Sequence, residues 1–279
     1  DQKKKVVPSF EKSIREVLSD AGFTGVLYNI ICLVPSKELV KVATKLLRSL
    51  LETGAESVKA AVYNQASNHD KSGKFFKQLR NQIQASLDYL LREREGDVGT
   101  EEVILNEHMD TCSSSFELLE FMCSRYLDMQ NAFRVQKFNR TSIDLVAFGS
   151  EFLDQFVKSS ANLEQLDSRE LELVISALEF IIACCQGPCP DNQLHVASSP
   201  AVQVCQLIIT NDDWKEDAAE GLIDGPKMKI RVQDAAIKVL AVCLEGRTDQ
   251  EVHKILAQNF DDELLKSALS VLTPKMQEQ

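Results

Sequence analysis

Soft metal ligands crowd together at one place in the chain: Cys184, Cys185 and Cys189 are followed by His195, side chains of the kinds that bind zinc. Their spacing argues against a zinc site. Adjacent Cys184 and Cys185 point in different directions from one helix and cannot both face one ion, so structural cysteines at a helix end are the preferred reading. The acidic clusters Asp212, Asp213, Glu216, Asp217 and Asp261, Asp262, Glu263 could attract calcium, yet neither follows the EF-hand loop. The first surrounds the lone Trp214, which either anchors a partner, as interface tryptophans do, or packs within its own fold. Lys71, Lys74, Lys77 and Arg80 recur every third residue beside Phe75 and Phe76. A phosphate site is one reading; a solvated basic face over two inward-docked phenylalanines is preferred.

Catalysis finds no foothold. The four histidines, His69, His108, His195 and His253, are scattered, and although His108 near Asp110 has the types of a base and its orienter, no activated nucleophile accompanies them. Glycine-rich phosphate loops, a His-Glu-x-x-His pair and a Gly-x-Ser-x-Gly elbow do not occur in the sequence. The expectation is a non-enzyme with no cofactor.

Positioning elements follow from composition. Glycine (11), proline (7) and aromatic residues (6%) are scarce while 44% of residues are hydrophobic, which suits helices packed on a continuous core. Val232, Ala236, Val239, Leu240 and Cys243 fall on one helical stripe, and Val252, Ile255, Leu256 and Phe260 repeat it. Thr248 with Glu251, and Asp167 with Glu170, have the spacing of capping boxes that start helices. Ala43–Glu52 aligns without gaps on Ala236–Glu245, and Ala177–Gln186 reads the same way: a small residue, paired apolar residues a turn later, then a polar end. Such units must stack to bury their faces, so the fold class is all-α, an armadillo/HEAT-like helical-repeat solenoid. The polar, glycine-containing stretch around 92–110 suggests a division into an N-terminal half (1–95), a polar linker or shortened loop (96–111) and a C-terminal helical domain (112–279).

A net charge of −11 and a pI near 5.0 argue against nucleic acid and anionic membrane surfaces, where lysine and arginine dominate. No apolar run reaches the roughly 18–20 residues of a spanning helix, and no signal segment opens the chain. Asp1 in place of methionine suggests a fragment of a longer polypeptide. Eight cysteines, several (Cys32, Cys123, Cys205, Cys243) on apolar faces, read as small buried hydrophobes in a reducing compartment, and the sequon at Asn139 is discounted accordingly.

Cys185-Gln186-Gly187-Pro188-Cys189-Pro190-Asp191-Asn192-Gln193 closely resembles the inositol trisphosphate receptor family, in which a Cys-Gln-Gly-Pro-Cys-x-x-Asn-Gln run ends a long helix. Asp70–Lys77, Asp128-Met129-Gln130-Asn131, Leu207–Asp212 and the Ala236 helix with Glu251 and Ile255-Leu256 beyond are similar to family stretches in the same order, from about residue 50 to 270. The resemblance points to the third armadillo-type region, the receptor-and-ryanodine-receptor-associated homology domain, between the ligand-binding domains and the pore. It implies a calcium sensor built partly from two glutamates, but the corresponding places here hold Ser124 and Ala183. Glu179, one turn before Ala183, and Gln186 are the residual candidates, and one neutral oxygen cannot hold calcium.

What the resemblance implies is a cytosolic regulatory domain of an intracellular calcium release channel, relaying ligand binding to the pore by rigid-body movement without the sensor glutamates. Its partners are then other domains of the same large chain in a homotetrameric parent at the endoplasmic reticulum or another intracellular membrane. This fragment itself touches neither nucleic acid nor membrane. Asp128, Gln130, Asn131, Gln186, Asp191, Asn192 and Trp214 are the candidate domain contacts. A soluble armadillo-like adaptor that binds a partner protein is the alternative.

Overall fold

Apolar periodicity becomes helix throughout the computed structural model, which describes residues 14–52, 56–99, 101–160, 166–211 and 225–259. In chain order the helices are α1 (Ile14–Asp20), α2 (Phe23–Leu33), α3 (Lys37–Leu51), α4 (Glu56–Asn64), α5 (Lys74–Arg94), α6 (Glu102–Cys123), α7 (Leu127–Arg134), α8 (Leu145–Lys158), α9 (Ser168–Cys185), α10 (Pro190–Ala197), α11 (Pro200–Thr210), α12 (Gly225–Leu244) and α13 (Glu251–Asn259). A π-helical turn, Gln65–His69, extends α4, and no strand occurs among the described residues. The fold is all-α.

Helix starts obey local chemistry. Ser36, Asp144 and Ser199 each accept a hydrogen bond from a backbone N–H in the first turn they precede, satisfying a donor with no intrahelical partner. Asp167 and Glu170 complete the expected capping box of α9. The box expected at Thr248 and Glu251 does not form. Helix α13 begins only at Glu251, whose N–H is taken by Asp249 Oδ1 instead, because Arg247 draws the Asp249 carboxylate toward the turn.

The helices recur as units of a long helix, a short one and a third. Long helices α3, α6, α9 and α12 pack side by side, each on the next. Helices α2, α5, α8 and α11 form a second row, and the short helices α4, α7 and α10 each lean on the long helix of the following unit. This is the helical-repeat solenoid that the internal similarity implied. The ten-residue register ending α3, α9 and α12 has a fourth copy that the sequence disguised, Ser115–Ser124 at the end of α6. Its first position, Ala43, Ser115, Ala177 or Ala236, is buried in all four, where only a small side chain lets long helices approach closely.

Of the stretch 96–111 read as a linker, residues 102–111 already belong to α6, and Met109 is buried. The segment reads as polar because the outer face of the first turns of α6 carries Glu102, Glu107 and Asp110 toward solvent, with Glu107 3.5 Å from Lys41 of α3. Trp214 and both acidic clusters lie outside the described residues.

One hydrophobic core runs the length of the molecule, threaded by aromatic contacts. Tyr28 stacks on Phe75 (4.3 Å), Phe75 meets Phe76, Phe76 meets Phe133, Phe133 meets Phe180, and Phe180 meets Phe116, which touches Phe152. The series passes through α2, α5, α7, α9, α6 and α8, so successive units share rings and not merely surfaces. Phe75 and Phe76 face inward, as the basic-ridge reading required. Gly149 of α8 makes room for the Phe180 ring: a Cβ there would lie 2.9 Å from Phe180 Cε1. Gly149→Val should therefore lower unfolding free energy by about 2 kcal/mol in urea titrations. An unchanged midpoint would mean that the ring has room to move.

Candidate functional site

The Cys-Gln-Gly-Pro-Cys run is where α9 turns into α10, and its geometry follows from its residue types. Gln186 is extended (φ −67°, ψ 136°), ending α9. Gly187 takes φ 90°, which L side chains rarely adopt, and its N–H donates to Glu245 Oε2 at the end of α12. Pro188 packs against Gly246, and Pro190 occupies the first position of α10, where a missing N–H costs nothing. Asn192 and Gln193 are thereby carried into the interior, fully buried.

There the amides satisfy helix ends. Asn192 Nδ2 donates to the carbonyls of Gln130 and Cys184, both at 2.9 Å, while its Oδ1 accepts from Arg134 Nε. Arg134 also pairs with Asp191 at 2.6 Å. Gln130 Nε2 donates to the Ala183 and Gln186 carbonyls at the end of α9. Gln193 Nε2 does the same for Val242 and Glu245 at the end of α12. One unit earlier, Lys59 Nζ donates at 2.5 Å to the Ser124 carbonyl at the end of α6. Lys59, Gln130 and Gln193 are each the fourth residue of a short helix. Each short helix thus plugs the carboxyl end of the next long one, where carbonyls have no intrahelical partner.

Among the expected domain contacts, Gln130 and Asn192 are buried and hydrogen-bonded inside this node, so neither offers an exposed amide. Asp128 and Asp191 are exposed, and Asn131 and Gln186 partly so. Asn131 Nδ2 is turned back onto the Leu127 carbonyl, with Cys189 Sγ 3.7 Å from its Oδ1. The cysteines disperse as adjacency dictates: Cys184 Sγ lies 3.9 Å from Cys123 Sγ, whereas Cys185 is turned to Cys243. His195 lies instead 3.1 Å from Asp144. His108 is not joined to Asp110 either; it stacks on Tyr89 and meets Ser86 Oγ at 3.1 Å, beside a cleft of about 540 Å³ between α3, α5 and α6.

Ser124 and Ala183 both end long helices, and what each contributes to the node is its carbonyl. The carboxylates on this seam lie one turn earlier on each helix: Glu120 on α6 faces Glu179 on α9. Burial first, then the charges of Glu179 and Glu117, push the Glu120 carboxyl up to about 7. Glu117 is compensated by an ion pair with Arg48 of α3, and Lys238 of α12 lies close enough to Glu179 to feel its charge. Glu120, Gln193, Lys59 and Arg134 are the members of this seam that sequence reasoning did not single out. Gln193 stood in the motif, but nothing in the sequence marks Lys59 or Glu120 apart from other charged helix residues.

The family model described as RyR and IP3R Homology associated matches residues 106–209, from the first turns of α6 to the last turn of α11. The match spans both halves of the amide node, taking in Gln130, Arg134 and the whole Cys185–Gln193 run. Over residues 106–209 the chain is thus similar to the homology-associated region of the inositol trisphosphate and ryanodine receptors.

Proposed function

We propose that the chain is a cytosolic coupling domain of an inositol trisphosphate receptor-type calcium release channel, relaying ligand binding to the pore as a semi-rigid lever. The observation that carries this reading is that each short helix is bonded to the end of the next long helix, the joint of Gln130 and Asn192 to α9 lying wholly inside the family-matched residues. A displacement of one unit must either move its neighbour or strand buried carbonyls, and packed cores shift as bodies and do not deform continuously. The partners would be other domains of the same chain, in a homotetramer at the cytosolic face of the endoplasmic reticulum or another intracellular membrane.

The same reading has the domain transmit movement without sensing calcium. Calcium wants several oxygens, and Ser124 and Ala183 supply no carboxylate, while burial, and after it the charge of Glu179, leaves Glu120 holding a proton up to about neutrality. Calorimetric titration of the chain with calcium chloride at neutral pH should give no saturable heat. Saturable binding that disappears in Glu179→Gln would restore a sensor to this region.

The broader proposal is tested on the native polypeptide with an antibody to this chain. A very large polypeptide that stays with membranes through carbonate washing is the expected result. A small one that washes off would replace the channel reading with a peptide-binding adaptor.

A further inference from the structure

The joint between the first two units is open at a place that the later long helices fill. Four residues before the small first position of the repeat register, α9 has Leu173 and α12 has Val232, both buried. The same place on α6 is Thr111, which is partly exposed and lines the cleft of about 540 Å³ between α3, α5 and α6. Its walls are the α2–α3 corner, the first turns of α3, the middle of α5 and the first half of α6, so the opening lies between two units of the chain.

Two rows of neutral polar groups line it. Gln78, Asn81 and Gln82 share one face of α5 at the i, i+3, i+4 spacing, and Thr111, Ser114 and Ser115 repeat that spacing on α6. Among the described residues the three carboxamides and the Ser114 hydroxyl have no hydrogen-bond partner. Thr111 and Ser115 donate to carbonyls of their own helix and keep lone pairs to accept with. At one end the α2–α3 corner is apolar, with Leu33, Val34, Pro35 and Val40. The charges nearly cancel: Lys37 and Lys41 stand against Glu38, Glu107 and Asp110, and Lys41 lies 3.5 Å from Glu107.

These groups select among ligands. A phosphate-bearing molecule wants an excess of cations, which the walls do not offer, and a nucleobase wants a free ring face, whereas His108, the one aromatic ring in the walls, is stacked on Tyr89 at 4.2 Å. Carboxamides both donate and accept, which suits a main chain whose N–H and C=O groups alternate along its edges. We propose that the cleft holds an extended, uncharged peptide segment of a partner protein, its main chain paired with the α5 carboxamides and α6 hydroxyls and one apolar side chain seated in the α2–α3 corner. The bound segment takes the space that a larger side chain at Thr111 would fill, and so ties the first unit to the second. This does not require the parent chain to be a channel.

A positional-scanning library of fluorescein-labelled, amidated heptapeptides, read by fluorescence polarisation against the intact chain, tests this. One position should select apolar residues and its neighbours uncharged ones, with saturable binding that changes less than about twofold between about 50 and 500 mM salt. Asn81 is exposed, so Asn81→Ala should leave helix content unchanged and weaken the best peptide about tenfold. Thr111→Leu is the sharper variant, because α9 has leucine at that place: the urea midpoint should hold or rise while peptide binding falls at least about tenfold. The chain's own first residues are the competing occupant, and peptide bound only after Val6→Ser, Val7→Ser and Phe10→Ser are combined would give the cleft to them and overturn the proposal. A library in which no peptide saturates, binding that high salt abolishes, or binding that Thr111→Leu leaves unchanged would overturn it as well.

Discussion

Asn192→Ala should destabilise the folded chain by about 3 kcal/mol, the largest effect expected of any single amide here. The side chain is fully buried and makes three bonds, to the Gln130 and Cys184 carbonyls and to Arg134. Alanine would strand two carbonyls out of reach of water and release Arg134 to its remaining partner, Asp191. Each buried polar group left unpaired costs roughly 1–3 kcal/mol, far more than the lost packing of an amide. Asn192→Asp should be at least as damaging, because a carboxylate repels the carbonyls that the amide fed. Urea unfolding monitored by circular dichroism measures both. A change below about 0.5 kcal/mol, the scale of ordinary surface substitutions, would show that the carbonyls find other partners and that the node does not lock the units together.

Glu120→Gln should do the opposite, and only over part of the pH scale. The folded-state carboxyl titrates at about 7 against an ordinary value of 4.5, so the folded chain keeps a proton that the unfolded chain has released. The sign follows directly. Below 4.5 both states are protonated and Glu120 costs nothing; between 4.5 and about 7 stability falls as pH rises; above 7 the penalty is complete. Glutamine removes the titration, so the variant should match the wild type at pH 4 and exceed it at pH 8, by an amount on the order of 3 kcal/mol at most. Glu179 on the facing α9 and Glu117 on α6 itself oppose the Glu120 charge, while Arg48 of α3 is engaged by Glu117. A stability difference between variant and wild type that is flat from pH 4 to pH 8 would show that Glu120 titrates alike in the folded and unfolded chain. In a coupling domain this seam would loosen as the proton leaves, since α6 and α9 are the central pair of long helices.

How far this could be read in advance differs element by element. The capping box at Asp167 and Glu170 formed as written because both side chains and both backbone donors lie within one turn, where nothing distant intervenes. The box at Thr248 failed for the converse reason: Arg247 reaches Asp249 and also the Pro190 carbonyl of α10, so a tertiary contact sets the turn and moves the helix start. Three of four copies of the repeat register were visible because alanine marks their first position. The copy in α6 was hidden by Ser115, which serves the same close approach with a different side chain.

Composition and periodicity alone determined that this chain is helical, that its helices share one face and that its units must stack, because amphipathic helices have no other way to bury their stripes. The Cys185–Gln193 run likewise marked the place of the node, since glycine and proline confine the backbone there whatever surrounds it. Only the tertiary structure decided what the polar residues at that place do. Gln130 and Asn192 look like surface amides until the α9 carboxyl end is brought over them, and Glu120 looks like any helix glutamate until Glu179 faces it across the seam. Hydrogen bonding and charge depend on the nearest groups in space, and in a solenoid those belong to the next unit, some sixty residues away along the chain.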